Sequence, residues 1–167
     1  MNKTNKRLAV AFTGPSNSGK TTLIVKIATM LQEEGLKVAI IKHDPCDKAI
    51  FDKEGKDSYK FSQTGSEVAV VSPTRTTVFK KETSTIEDMV SMFGDFDILL
   101  VEGLKTIPLP RVCVQRDTIN DIYFEKSDCI ATDNSIDKEK LPQNMVILDL
   151  NNTQDIIEWI KQNGQKI

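Results

Sequence analysis

The chain has little of what would tie it to a membrane, a nucleic acid or an oxidising compartment. No apolar run approaches the roughly 18 residues needed to cross a bilayer. Lys3, Lys6 and Arg7 precede an apolar stretch, but that stretch covers only 8–12 before Thr13 and Gly14 interrupt it, so it is expected to be a core strand and not an export signal. Charge of one sign is missing too. Lys and Arg total 22 against 24 Asp and Glu, a net charge of −2, which argues against a general nucleic-acid or anionic-membrane surface. The cysteines, Cys46, Cys113 and Cys129, are odd in number and not spaced as metal pairs; a disulfide framework is not expected, and a reduced, cytoplasmic setting is. There is one histidine, and the only arginines are Arg7, Arg75, Arg111 and Arg116. With no internal repeat, heptad array or low-complexity linker, residues 1–167 are expected to form one domain large enough for a sheet with helices on both faces.

What the chain does have is concentrated near its start. Gly14-Pro15-Ser16-Asn17-Ser18-Gly19-Lys20-Thr21 follows the phosphate-loop pattern G-x-x-x-x-G-K-[ST], between a strand-like run and a helical one. The pattern has a physical reason. Two glycines let the backbone turn its amides around phosphates, and the helix start adds partial positive charge. Lys20 brings a point charge, and the Thr21 hydroxyl is suited to Mg²⁺. Thr22 completes the loop's set of candidate ligand contacts.

Downstream, 21–34 places Leu23, Ile24, Ile27, Ala28 and Leu31 on one helical face, ended by Gly35. The run at 37–42 then reads as a buried parallel strand, completing a strand-helix-strand unit. Regularity fails over about 44–82, which is read as an insertion. Within it, Gly55-Lys56-Asp57-Ser58 resembles a helix start, and 67–72 and 76–80 predict a projecting hairpin whose edges call for a partner, supplied by the chain's own fold or, the preferred reading, by a second subunit. Ser84-Thr85-Ile86-Glu87 offers a capping box ahead of Ile86, Met89, Val90 and Phe93. Strands are expected at 98–101, Arg111–Gln115, 129–131 and 145–150, and a last amphipathic helix at Thr153–Asn163. The fold expected is a doubly wound, mostly parallel α/β sheet of the P-loop NTPase type with an inserted β-hairpin.

A phosphate loop needs a second acid for its metal, at the C-terminal end of a neighbouring strand. Glu102, after four apolar residues, fits that place; Asp97 enters the same strand at its other end. His43 ends the second strand on the ligand side and is a candidate for catalysis beside Glu102. Asp57 is a candidate metal ligand from the insertion, against the plainer reading of a helix-start acid; Asp44 is open to the same two readings. Cys46 is left unassigned.

The loop together with Thr22-Leu23, Lys42-His43-Asp44, Gly55-Lys56-Asp57-Ser58 and Val101-Glu102-Gly103-Leu104-Lys105 resembles, in order and over essentially the whole chain, the MobB family of molybdopterin-guanine dinucleotide biosynthesis adaptors. The resemblance implies a GTP-binding homodimer with at most slow hydrolysis, using Mg²⁺ and assisting the molybdenum cofactor guanylyltransferase. Histidines common in that family after Lys-His-Asp are replaced here by Pro45, Cys46 and Asp47, and no role passes to those positions. The Asn-Lys-x-Asp guanine motif of many GTPases is missing; Asp133, in Ala131-Thr132-Asp133, is the best-placed carboxylate to accept from guanine. The alternative is a small-molecule kinase built on the same loop, although the insertion offers only Arg75 as a lid arginine.

Overall fold

The apolar runs at 8–12 and 98–101 form the middle of one sheet and are buried on both faces; the run at 37–42, expected to be buried, forms the edge of the sheet, where Ile41 is buried and Ile40 is exposed. In the computed structural model, which describes residues 7–167 and therefore excludes Lys3 and Lys6, they become β1 (Leu8–Thr13), β2 (Val38–Lys42) and β5 (Ile98–Glu102). Strands β6 (Arg111–Gln115), β7 (Cys129–Thr132) and β8 (Val146–Asp149) extend the sheet in the order β2-β5-β1-β6-β7-β8. These six pair in parallel, and β9 (Gln165–Lys166) adds an antiparallel pair on β1.

Two helices cover one face. Helix α1 (Lys20–Glu33) brings Leu23, Ile24, Ile27 and Leu31, and α4 (Thr153–Asn163) brings Ile156, Ile157 and Ile160. Both sets pack against Val10, Phe12, Leu100, Val112 and Val114 of the strands, all of them buried. On the other face Cys113 and Ile130 meet Ile136 and Leu141, with Tyr123 and Phe124 beside them. These flank the single helical turns Asp121–Tyr123 and Lys138–Lys140. The alternation of a strand thus sends one set of residues to the long helices and the other to the turns.

The chain divides into two compact units: residues up to His43 with Phe93–Ile167, and Asp44–Met92. The second unit holds α2 (Asp57–Gln63), the antiparallel pair β3 (Val68–Val71) and β4 (Thr76–Phe79), and α3 (Ile86–Met92). The irregular segment expected at 44–82 therefore belongs to a unit that reaches on through α3. Ser72 shapes the hairpin turn, its N–H and hydroxyl donating to Arg75 O at 2.9 and 2.8 Å. The cap of α3 is displaced by one residue from the expected Ser84–Glu87 box. Thr85 N–H donates to the Asp88 carboxylate at 2.9 Å and Asp88 N–H to Thr85 Oγ1 at 3.1 Å. The helix starts at Ile86, which makes Thr85 the cap and Asp88 the reciprocal acid.

Candidate functional site

The phosphate loop sits where β1 gives way to α1, and its backbone is set by close approach. A Cβ on Gly14 would stand 2.2 Å from Val114 O, and the residue has φ 137, so only glycine fits. Asn17 takes the left-handed conformation at φ 63, and Gly19 caps α1 at φ 94. That cap has no side-chain hydrogen bond and the first turn of α1 has no acid; the positive end of the helix is left for an anion. Lys20 Nζ bends back across the loop, donating to Gly14 O at 3.1 Å and Pro15 O at 2.6 Å. Burial lowers its pKa, with Glu102 opposing. Ser16 and Asn17 are exposed at the tip. Ser18 is buried, and its hydroxyl oxygen has no hydrogen-bond partner among the described residues. An orphaned polar atom in a cradle of amides is the arrangement a polyphosphate would satisfy.

Beside the loop, β5 delivers Glu102 in register with Phe12 of β1 and Lys42 of β2. Thr21 Oγ1 donates to both carboxylate oxygens, at 3.1 and 3.2 Å. Among the described residues no group of three or more His, Cys, Asp or Glu could hold a metal ion. A cation here would be held by one hydroxyl, one acid and the oxygens of ligand and water, the manner in which P-loop proteins hold Mg²⁺. His43 joins the same corner: its backbone N–H donates to Glu102 backbone O at 2.9 Å, and its Cβ is 3.1 Å from where a Cβ of Gly103 would be. The competing acid Asp97 lies at the other end of β5 and accepts from Lys37 N–H at 2.8 Å. In the inserted unit, Asp57 is the exposed first residue of α2, 3.5 Å from Lys60. Asp44 accepts from the amides of Cys46, Lys48 and Ala49, as a turn carboxylate does.

On the other flank, Gly19, Thr22, Lys26, Arg116, Leu150 and Asn151 line a shallow recess. Asp133, just past β7, turns its carboxylate toward Arg116, whose Nε donates at 2.8 Å. The other carboxylate oxygen accepts from the amide and hydroxyl of Ser135. The Ser135 bonds, aided by Arg116, hold the Asp133 carboxyl below its ordinary pKa. Arg116 is a residue that motif reading passes over. It lies 17 positions from Asp133 in sequence, and only the pairing of β6 with β7 brings the two together.

A parallel sheet whose central strand runs through a glycine loop into a helix, with an acid one strand over, is the P-loop nucleotide-binding fold. Residues 9–133 match the model of the MobB family, Molybdopterin guanine dinucleotide synthesis protein B, and the chain belongs to that family. It is 28% identical over 160 residues to the molybdopterin-guanine dinucleotide biosynthesis adapter protein of Haemophilus influenzae, covering 91% of this chain and 86% of that one. A putative adapter protein of the same description from Methanocaldococcus jannaschii is 32% identical over 114 residues, covering 65% of this chain but 47% of that longer protein. The crystal structure of Bacillus subtilis MobB superposes with a TM-score of 0.73 at 23% identity, covering 95% of this chain and 98% of that one. At that identity the likeness speaks for the fold.

Proposed function

We propose that the protein binds GTP with Mg²⁺ and serves as an adapter for the guanylyltransferase step of molybdopterin guanine dinucleotide synthesis. The observation that carries the nucleotide reading is the Thr21 hydroxyl held on the Glu102 carboxylate at the mouth of the Gly14–Lys20 loop. Loop amides, the α1 N-terminus and Lys20 would hold the phosphates, with Gly14, Pro15, Ser16, Asn17, Ser18, Gly19 and Thr22 forming the cradle. Thr21 and Glu102 would hold Mg²⁺, which neutralises phosphate charge when bound. Asp57 is kept as a candidate further acid. Asp133 is the candidate reader of the base, through whichever acceptor sites Arg116 and Ser135 leave open.

The chemistry expected is weak. Glu102 and His43 are the candidate catalytic groups, yet the arginines of this unit that lie near the site are otherwise engaged: Arg116 on Asp133, and Arg111 on backbone carbonyls. An unengaged arginine finger, worth orders of magnitude in P-loop hydrolysis, is not among the described groups at the loop. Slow turnover, a second copy of the chain and the guanylyltransferase as partner make one consistent reading, and a cytoplasmic setting accords with it. Among the described residues no helix is long and apolar enough to cross a membrane. No observation favours the kinase alternative.

Calorimetric titration with GTP, ATP and GDP, each with and without Mg²⁺, tests the reading. Saturable binding, tighter for GTP and strengthened by Mg²⁺, is expected. Absence of saturation by any purine triphosphate would falsify it. For the adapter role, sedimentation of the protein with the guanylyltransferase should show a faster-moving complex, and independent boundaries would remove that partner.

A further inference from the structure

Arg111, the first residue of β6, is 1% exposed and heads the fully buried side chains by volume. Its guanidinium donates through Nη1 to Gly103 O at 3.0 Å, and through Nη2 to Leu104 O at 3.1 Å and Ile107 O at 3.0 Å. The Asp128 carboxylate is hydrogen-bonded elsewhere: it accepts from the backbone N–H of Arg111 at 2.7 Å. Among the described residues the guanidinium has no salt bridge; the Asp128 charge favours it from a distance, and its direct partners are the three carbonyls. An apolar side chain would fill the same volume without the cost of burying a cation. What the arginine achieves is therefore to be sought in the three carbonyls.

All three belong to one turn, at 103–107, which begins immediately after Glu102. The turn is held in a conformation it would not adopt freely. Leu104 has φ 46, a left-handed conformation uncommon for a branched side chain. Gly103 has φ 89, which favours glycine, and a Cβ there would stand only 3.1 Å from His43 Cβ. Gly103 N–H donates to Phe12 O at 3.0 Å, tying the turn to β1 just before the phosphate loop. At its far side Lys105 Nζ stands 4.2 Å from the centre of the Tyr123 ring. Strain of this kind persists only where surrounding contacts over-determine it, and a planar fork of donors does so better than a point charge.

We propose that Arg111 is a positioning residue for the cation site: by gripping three carbonyls of the turn after Glu102, it fixes how that carboxylate leaves β5 and keeps it on the Thr21 hydroxyl. The role rests on the reading of Thr21 and Glu102 as the Mg²⁺ site. Arg111 touches neither phosphate nor metal; it acts through the turn.

The test compares Arg111→Lys and Arg111→Met with the unaltered chain. GTP affinity is measured across a Mg²⁺ titration, which gives the Mg²⁺ affinity, and in EDTA, and amide exchange is followed at Ile107, whose N–H closes the turn on Leu104 O at 3.2 Å. Both variants should lose roughly ten- to hundredfold in Mg²⁺ affinity, the usual effect of removing a partner that orients a ligand. Binding in EDTA should be unchanged and Ile107 should exchange faster. Lysine should do no better than methionine, since one ammonium cannot span three carbonyls. Variants as Mg²⁺-dependent as the parent, or full rescue by lysine, would overturn the role. If both Arg111 variants fail to fold, Leu104→Val decides the matter, because a β-branched residue resists the left-handed conformation while leaving Arg111 in place. It should lower Mg²⁺ affinity in the same way, and an unaltered value counts against the proposal. A parent chain whose GTP affinity ignores Mg²⁺ strikes the site reading and takes this role with it; Mg²⁺-dependent parent and variants alike strike the role alone.

Discussion

The Lys20 ammonium lies across the carbonyls of Gly14 and Pro15, and its removal should separate binding from folding. Lys20→Ala deletes a charged donor worth about 1.5–3 kcal/mol, so GTP affinity should fall roughly ten- to hundredfold or more, with the melting temperature nearly unchanged. Calorimetry beside a thermal melt checks both halves, and unaltered affinity would show that the loop is not the site. Gly14→Ala should lower stability as well. Its new methyl would meet Val114 O at 2.2 Å, and the strain should cost about 3 kcal/mol, a fall in melting temperature of roughly 6–12 °C for a chain of this size. Asp133 gives a prediction with a pH sign. Its pKa is held below the ordinary 3.8 by Ser135 and Arg116, so its stabilisation is present above that value and is lost as the pH falls through the lower folded one. Ser135→Ala should accordingly be less stable than the parent near neutral pH, with the gap narrowing in acid; denaturant melts at about pH 7 and about pH 2 read it, and a constant gap removes the linkage. At this scale the loop was legible in the sequence because its chemistry is contiguous, and Glu102 because a strand end announces it. Arg111 was not, since its partners are backbone carbonyls that any residues supply.

Elements were read well where periodicity was long and poorly where it was short. The Thr153–Asn163 helix has an apolar stripe, an Asn152 side chain that accepts from Asp155 N–H, and Gly164 after its end; all of these are written locally. The Arg111–Gln115 strand is likewise a continuous, wholly buried run. The α3 cap slipped by one residue because adjacent Ser84 and Thr85 each have an acid three positions on, a pattern that does not choose between them; the hydrogen bonds fall on Thr85 and Asp88. Strand β9, two residues long, carries no pattern at all. Its existence depends on Gly164. A Cβ there would lie 2.7 Å from Ile160 O and 3.2 Å from Leu8 Cβ, so only glycine lets the chain leave α4 close enough to pair Gln165 with Ala9 and Lys166 with Leu8. Gly164→Ala should therefore strip β9 from β1, with a loss of about 1–3 kcal/mol. Faster amide exchange at Ile167, which donates to Arg7 O at 3.0 Å, together with a lower melting temperature, would register the change; protection equal to the parent's would show that the backbone accommodates the methyl.

At the scale of the whole molecule, the inserted unit poses a problem that its own residues do not solve. Strands β3 and β4 form an isolated two-stranded sheet, a structure only marginally stable in water unless it is packed against something further. Val71 is 76% exposed, Val70 42% and Val78 44%, and neither α2 nor α3 contains a buried residue. In the same unit Ile50 and Phe51 are 88% and 84% exposed. Contiguous exposed apolar residues beside unpaired strand edges are the features by which sheets associate. A second copy of the chain offers the same hairpin and can pair with it isologously, giving the closed symmetry most oligomers adopt. On these grounds we propose that a homodimer pairs through the insertion and not through the sheet, whose strand ends the nucleotide reading uses. Replacing Val70 and Val71 by lysine should then halve the mass measured by light scattering, because charge on an exposed edge disfavours pairing. GTP affinity should be retained, since Gly14, Lys20, Thr21 and Glu102 all belong to the other unit. A variant that keeps the parent's mass would place the interface elsewhere, and one that loses dimer and nucleotide together would show that the two units depend on each other for binding.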